Sequence, residues 1–240
     1  MPELADNILR IAEKVASASQ RSGLSETRIL LATKTVSPDR IREATGSGIT
    51  LLGENRLQEL KTKYDALSDL PLDWHMIGHL QSNKVKEAVR YCSVVQSVDR
   101  PSIAAALQSR CEFEGKRLKI MLQVNTSAEP SKFGIAPDQV FHLAESTLQH
   151  DRLDIIGLMT IGLFSSEESL VRPCYARLRR CAEDLTARGL MPVPKPELSM
   201  GMSGDFEWAI LEGATIVRIG TAIFGARALP DSYYWPDAAN

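Results

Sequence analysis

No apolar run in this 240-residue chain approaches the ~20 consecutive residues that span a bilayer. The opening Met1-Pro-Glu-Leu-Ala-Asp-Asn7 lacks the basic start and apolar centre of a secretory signal. Positive charge is not in excess either. The chain has 28 Lys and Arg against 30 Asp and Glu, a net −2, and the two signs are interspersed. No basic field is there to draw the chain to nucleic acid or to an anionic membrane. Cysteine is scarce: Cys92, Cys111, Cys174 and Cys181 form no CxxC pair and no zinc-type spacing. Cys174 and Cys181 share a helix face but lie too far apart to bond. Reduced, buried thiols and a cytoplasmic setting follow from that usage. The HExxH pattern is missing as well. Trp74-His-Met-Ile-Gly-His79 places two His at i and i+4, but Met76 stands where the general base belongs and Gly78 interrupts a helix. No metal is therefore expected, and His75 reads as an inward strand residue. Gln81, Asn83 and Lys84 then open a helix at the same rim. A low-complexity linker is also lacking. The Pro-rich Met191 to Pro196 is too short to separate domains, so residues 1–240 read as one domain.

What is present is a regular alternation. Hydrophobic residues make up 44% and charged residues 24%, the balance of a soluble globular protein. Leu4, Ile8, Ile11 and Val15 recur at helical spacing over 3–22, and Gly23 stops that helix. Short apolar runs follow at 28–35, 50–54, 73–78, 94–98, 118–125, 153–162, 197–201 and 216–221. Between them lie helical patterns at 38–47, 55–68, 82–91, 101–115, 137–150, 168–189 and 205–213. Pro101 and Pro137 sit where a first helical turn accepts proline; Gly115, Gly189 and Gly213 sit just past helix ends. Strands alternating with helices imply parallel βαβ units. Eight of them in this length predict an α/β fold, a (β/α)8 TIM barrel with an extra N-terminal helix over 1–23. An open doubly wound sheet is the alternative.

The candidate chemistry begins at Lys34, which ends the run Ile29-Leu-Leu-Ala-Thr-Lys-Thr35. Alternation puts Lys34 on the face of Leu30 and Ala32. If that face is the barrel interior, the amine stands at the C-terminal mouth, where this fold keeps its active sites. Partial desolvation there favours the neutral, nucleophilic amine, which forms an imine with an aldehyde. A solvated lysine at a strand end is the plainer alternative. Phosphate often binds the loops after strands 7 and 8 of such barrels. Here those loops are Met202-Ser-Gly-Asp205, opening a helix, and Gly220-Thr221. Ser203 offers a hydroxyl, the helix start offers free N–H groups, and Gly220 allows close backbone approach. Arg218 shares the face of Gly220 and can pair with a pyridine nitrogen; guanidinium only donates, so that nitrogen would stay unprotonated. Asn55, after the second strand, could orient a ring oxygen or serve as an N-cap. An aldehyde carrying a phosphate and a pyridine ring is pyridoxal 5′-phosphate (PLP).

These segments, in order, resemble one family. They are Leu-Leu-Ala-Thr-Lys34-Thr, Gly-Glu-Asn55-Arg-Leu-Gln-Glu59, Trp-His75-Met-Ile-Gly-His-Leu-Gln-Ser-Asn-Lys84, Gln123-Val-Asn-Thr126 and Ser131-Lys-Phe-Gly134. Gly157-Leu-Met-Thr160, Leu198-Ser-Met-Gly-Met-Ser203 and Val217-Arg-Ile-Gly-Thr221 complete the series. The chain is similar, from about residue 28 to 225, to the pyridoxal phosphate homeostasis proteins of the YggS/PROSC type, built like the barrel domain of alanine racemase. The resemblance implies a covalent imine between PLP and Lys34 and a pyridine contact at Arg218. It also implies phosphate contacts at Ser203, Gly220 and Thr221, a cofactor contact near Asn55, and Met200 with Met202 along the cofactor edge. It implies reversible PLP storage and delivery, with apo PLP-dependent enzymes as acceptors, and no established turnover.

The barrel pattern ends near Gly225, and Ala226–Asn240 is too short for the second domain of alanine racemase, which supplies a tyrosine base. Racemisation needs a proton acceptor on each face of the substrate carbon. Tyr233 and Tyr234 lie in the short aromatic tail 226–240. A PLP carrier, monomeric without the racemase dimer contacts, is therefore the expectation. A weak PLP-dependent amino-acid racemase is the alternative, and a barrel aldolase acting on a phosphorylated sugar a more distant one. Lys132 could give a second, weaker PLP contact or stand as a solvated loop lysine.

Overall fold

A computed structural model describes residues 2–24 and 26–225 of the chain. The strands are β1 (Arg28–Ala32), β2 (Leu51–Glu54), β3 (Asp73–Met76), β4 (Val94–Val98), β5 (Leu118–Gln123), β6 (Leu153–Met159), β7 (Glu197–Met202) and β8 (Ile216–Ile219). They pair in parallel in sequence order, and β1 pairs with β8, so the sheet closes into a barrel. The helices are α1 (Pro2–Ser22), α2 (Pro38–Thr45), α3 (Leu57–Ala66), α4 (Val85–Tyr91), α5 (Pro101–Glu114), α6 (Val140–Thr147), α7 (Glu168–Ala187), α8 (Phe206–Leu211) and α9 (Thr221–Phe224). Eight strands with helices between them make the predicted (β/α)8 barrel rather than the open sheet. The tail 226–240, with Tyr233 and Tyr234, lies outside the described residues.

Two apolar layers account for the closure. Leu30, Leu51, Val94, Met121, Met159 and Ile216 are buried together in a small inner cluster. A much larger cluster fills the space between strands and helices. Strands buried on both faces read as near-continuous apolar runs, which is why period-two alternation is weak in β4 and β5. The amphipathic face of α1 buries Leu4, Ile8, Ile11 and Val15 as the spacing predicted. It packs on α8 and α9, tied by Asn7 Nδ2 donating to the Ile223 carbonyl at 3.2 Å.

The inner space is tight where the site begins. A Cβ on Gly53 would come within 2.4 Å of Leu30 Cδ2 and 2.9 Å of Ile77 Cδ1, so only glycine lets β2 lie there. The first strand is shorter than the predicted 28–35. It ends at Ala32, because Thr35 takes the left-handed φ of 64° that turns the chain outward. Lys34 thus stands on the turn just past the strand tip.

Candidate functional site

The turn carrying Lys34 is pinned on both sides. The Thr33 hydroxyl donates to Glu54 Oε1 at 2.6 Å, and the Thr33 carbonyl accepts from Lys63 Nζ at 2.8 Å. Lys63 Nζ lies 2.6 Å from Glu54 Oε1 as well; the two side chains are 7% and 0% exposed. On the other side the strained Thr35 donates its N–H to Glu59 Oε2 at 3.0 Å. Burial pushes the Glu54 carboxyl up, while Lys63 and Thr33 pull it down. Glu54 Oε1 accepts from both donors, the arrangement of a paired carboxylate. Lys34 itself is buried to 9% exposure.

Ser203 brings the last two loops together. Its Oγ accepts from the Gly220 N–H at 3.3 Å and the Ala222 N–H at 3.2 Å. Asp205 Oδ1 accepts the Met202 N–H at 2.6 Å and so closes the loop after β7. Burial raises the Asp205 carboxyl, opposed by that backbone N–H and by Arg218. Gly220 follows β8 directly, and a Cβ there would press on the Ala32 carbonyl at 3.1 Å. The loop after β8 therefore lies against the end of β1, and Thr221 opens α9 beside it.

Arg218 lies inside the barrel at 5% exposure, paired in register with Leu30. Its Nη1 donates to the Ser199 carbonyl at 2.8 Å and Ser199 Oγ at 2.9 Å; its Nη2 donates to the Thr160 carbonyl at 2.7 Å. A guanidinium has five N–H donors, so two remain after these three bonds. Burial pulls its pKa down from the ordinary arginine value, with Asp205 opposing, and the group remains a cation.

Asn55 follows β2 and is half-buried. The N-cap of α3 is Arg56, not Asn55, so capping does not explain this asparagine. Gly78 presses on its backbone: a Cβ there would come within 2.3 Å of the Asn55 carbonyl oxygen. Lys34, Asn55, Ser203, Arg218, Gly220 and Thr221 thus gather at the ends of four adjacent strands, β7, β8, β1 and β2. Met200 lies on β7 below the loop that carries Ser203. It is fully buried and follows Ser199, whose hydroxyl points inward to Gln96. The Met200 side chain joins the buried layer between barrel and helices.

Three further placements refine the sequence reading. His75 points inward, with Nδ1 at 2.7 Å from Gln96 Nε2. His79 stacks on Phe133 at 3.9 Å between ring centroids; among the described residues no group of three His, Cys, Asp or Glu could hold a metal. Lys132 donates to the Gly162 carbonyl at 2.7 Å and pairs with Glu129, so it ties two mouth loops together instead of standing in solvent. Sequence reasoning missed Lys63, Gln96 and Ser199. The available signal was polarity out of place: Gln96 and Ser97 interrupt an otherwise valine-only strand, and a buried polar side chain needs a partner.

The donor set suits a phosphorylated aldehyde with a ring nitrogen: a buried amine, hydroxyl and backbone N–H groups from two facing loops, and a guanidinium with two N–H groups to spare. Comparison with known proteins points the same way. The family model for the alanine racemase N-terminal domain matches residues 7–228. A pyridoxal phosphate homeostasis protein of Aquifex aeolicus is 41% identical over 224 residues, covering 92% of this chain and 97% of that protein. The protein of that name from Pseudomonas aeruginosa is 42% identical over 229 residues, covering 95% and 97%. The solved structure of PipY from Synechococcus elongatus PCC7942, with PLP bound, superposes with a TM-score of 0.79 at 35% identity, covering 90% of this chain and 100% of that one.

Proposed function

We infer what this chain does from one premise: it belongs to the pyridoxal phosphate homeostasis protein family, on the barrel of the alanine racemase N-terminal domain. It is a PLP-binding protein of cofactor homeostasis. When bound, PLP supplies an aldehyde that a primary amine captures reversibly. In our reading Lys34 is that amine and tethers the cofactor as a Schiff base. Ser203, Gly220 and Thr221 hold the phosphate through a hydroxyl and backbone N–H groups. Arg218 would direct one of its two remaining N–H groups to the pyridine nitrogen and, as a donor only, keep a proton off it. Asn55 orients the ring oxygen from the β2 side.

The single observation that supports this most is the gathering of these groups on four adjacent strand ends, with Lys34 pinned through both peptide neighbours. A donor-only partner at the ring weakens electron withdrawal, which suits holding the cofactor better than turning over amino acids. The chain then stores PLP and hands it to apo PLP-dependent enzymes. It acts as a monomer in a reducing, cytoplasmic compartment, in keeping with its four buried free cysteines.

Delivery is tested by mixing the PLP-loaded chain with an apo PLP-dependent enzyme in the presence of a phosphatase that destroys free PLP. Protected, continuing activation of the apoenzyme is expected. Activation no better than from free PLP under the same phosphatase would overturn delivery while leaving binding intact.

A further inference from the structure

The barrel core carries a hydrogen-bonded chain whose direction can be read from chemistry alone. Arg218 Nη1 lies 2.9 Å from Ser199 Oγ, Ser199 Oγ lies 2.6 Å from Gln96 Oε1, and Gln96 Nε2 lies 2.7 Å from His75 Nδ1. His75 Nε2 then lies 3.5 Å from Asp73 Oδ2, at the N-terminal end of β3. Arginine can only donate, so Ser199 Oγ accepts from it and turns its own hydrogen to Gln96. The Gln96 carbonyl must therefore face Ser199, and its amide N–H must face His75. His75 Nδ1 accepts, which leaves the ring hydrogen on Nε2, directed at Asp73. Every member donates in the same sense, from the guanidinium at the mouth to a carboxylate at the opposite face.

The chain answers a cost. A buried guanidinium is expensive without compensation, and among the described residues no carboxylate forms an ion pair with Arg218. Asp205 offsets part of that cost through space, and Asp73 ends the chain as its last acceptor. The Asp73 carboxyl is held down to about 2, first by the His75 hydrogen bond and also by Ser93. Aligned donors polarise one another, so each link strengthens the next.

We propose that Ser199, Gln96 and His75 are positioning residues that fix the Arg218 guanidinium for the ring nitrogen of the cofactor, with Asp73 as the terminal acceptor of the chain. This rests on the reading of Arg218 given above. In this reading the three act on the cofactor only through Arg218. They act by spending Nη1 on the barrel core, so that the guanidinium plane cannot rotate and its remaining N–H groups keep one direction. Interior Gln, Ser and His in strands otherwise apolar gain a purpose this way, which packing alone does not give them.

The test combines Ser199→Ala, Gln96→Leu and their double variant, with two readouts that a packing role would not move. One is the pH midpoint of the Schiff-base absorption band; the other is the Kd for PLP. Weakening the Ser199 bond to the charged Arg218, directly in Ser199→Ala or by releasing the Ser199 hydroxyl in Gln96→Leu, is expected to weaken binding roughly tenfold in each single variant. The double variant should stay near tenfold, not hundredfold, because both substitutions break one chain. The band midpoint should shift in the same direction in all three, and Ser199→Thr, which keeps the hydroxyl, should restore it. Unchanged midpoints, or multiplying losses in the double variant, would overturn the proposal. Nitrogen NMR of the PLP-free chain tests the polarity separately: His75 must carry its hydrogen on Nε2, and a hydrogen on Nδ1 would contradict the chain. Should Gln96→Leu not fold, Ser199→Ala against Ser199→Thr and the His75 tautomer still decide the matter. If the unaltered chain takes up no PLP, the reading of the site fails instead, and the tautomer result stands on its own.

Discussion

Replacing Lys63 by Met removes the cation that lies between Glu54, Glu59 and the Thr33 carbonyl. Glu54 would keep the Thr33 hydroxyl as its donor, in a position with no solvent exposure, and Glu54 Oε2 already has no partner among the described residues. Removing one member of a buried ion pair destabilises by about 3–5 kcal/mol, since it strands the other charge. For a domain of this size, at roughly 2–4 °C per kcal/mol, the melting midpoint should fall by about 10 °C. The sign of the pH dependence follows. Without Lys63, the folded-state pKa of Glu54 rises further above its unfolded value. The penalty is absent below the unfolded value, grows as pH rises toward the folded value, and then levels off. Thermal melts should therefore show a smaller deficit at pH 5 than at pH 8. Lys63→Met with Glu54→Gln removes both charges and should recover more than half of the loss. A single variant that loses less than about 1 kcal/mol, or a double variant no better than the single, would refute the claim that this pair braces the Lys34 turn.

Gly78→Ala puts a Cβ 2.3 Å from the Asn55 carbonyl oxygen, against backbone that cannot swing aside. It should destabilise by about 1–3 kcal/mol and weaken PLP binding as well, both measurable by melting with and without PLP. Asp73 is held at about 2, below the ordinary value, so its contribution is present above the unfolded carboxylate pKa and is lost as pH falls through about 2. Asp73→Asn should therefore melt lower than the unaltered chain at pH 7 and level with it at pH 1.5. Its side chain is 46% exposed, so the difference should stay below about 1 kcal/mol.

The barrel was legible because its signals are local. Each strand is an apolar run, and several helices are bounded by their own proline or glycine, as at Pro101 and Gly115, where the helix ends on a left-handed residue with φ 64°. The loops after β7 and β8 are likewise short local stretches, and the fold brings Ser203 against Gly220. Interior contacts between distant strands were not legible. Nothing local says that Gln96 meets Ser199 across 103 positions, or that Lys63 reaches back to Thr33. A motif also names residues without their faces, as at Met200. Its place in the buried layer between barrel and helices emerges only from the fold. Lys34 stands at the tip of the first strand as its run implied, yet the reason it is held lies in Glu54, Glu59 and Lys63, which pattern alone leaves as ordinary helix and strand charges.

The central claim is that Lys34 carries the cofactor. It is tested by loading the chain with PLP, reducing with borohydride and mapping the peptides, with Lys34→Ala in parallel. The account predicts a visible Schiff-base band in the unaltered chain, a pyridoxyl adduct on the peptide containing Lys34, and neither in Lys34→Ala. An adduct on Lys63 or Lys132 with none on Lys34, or an undiminished band in Lys34→Ala, would contradict it.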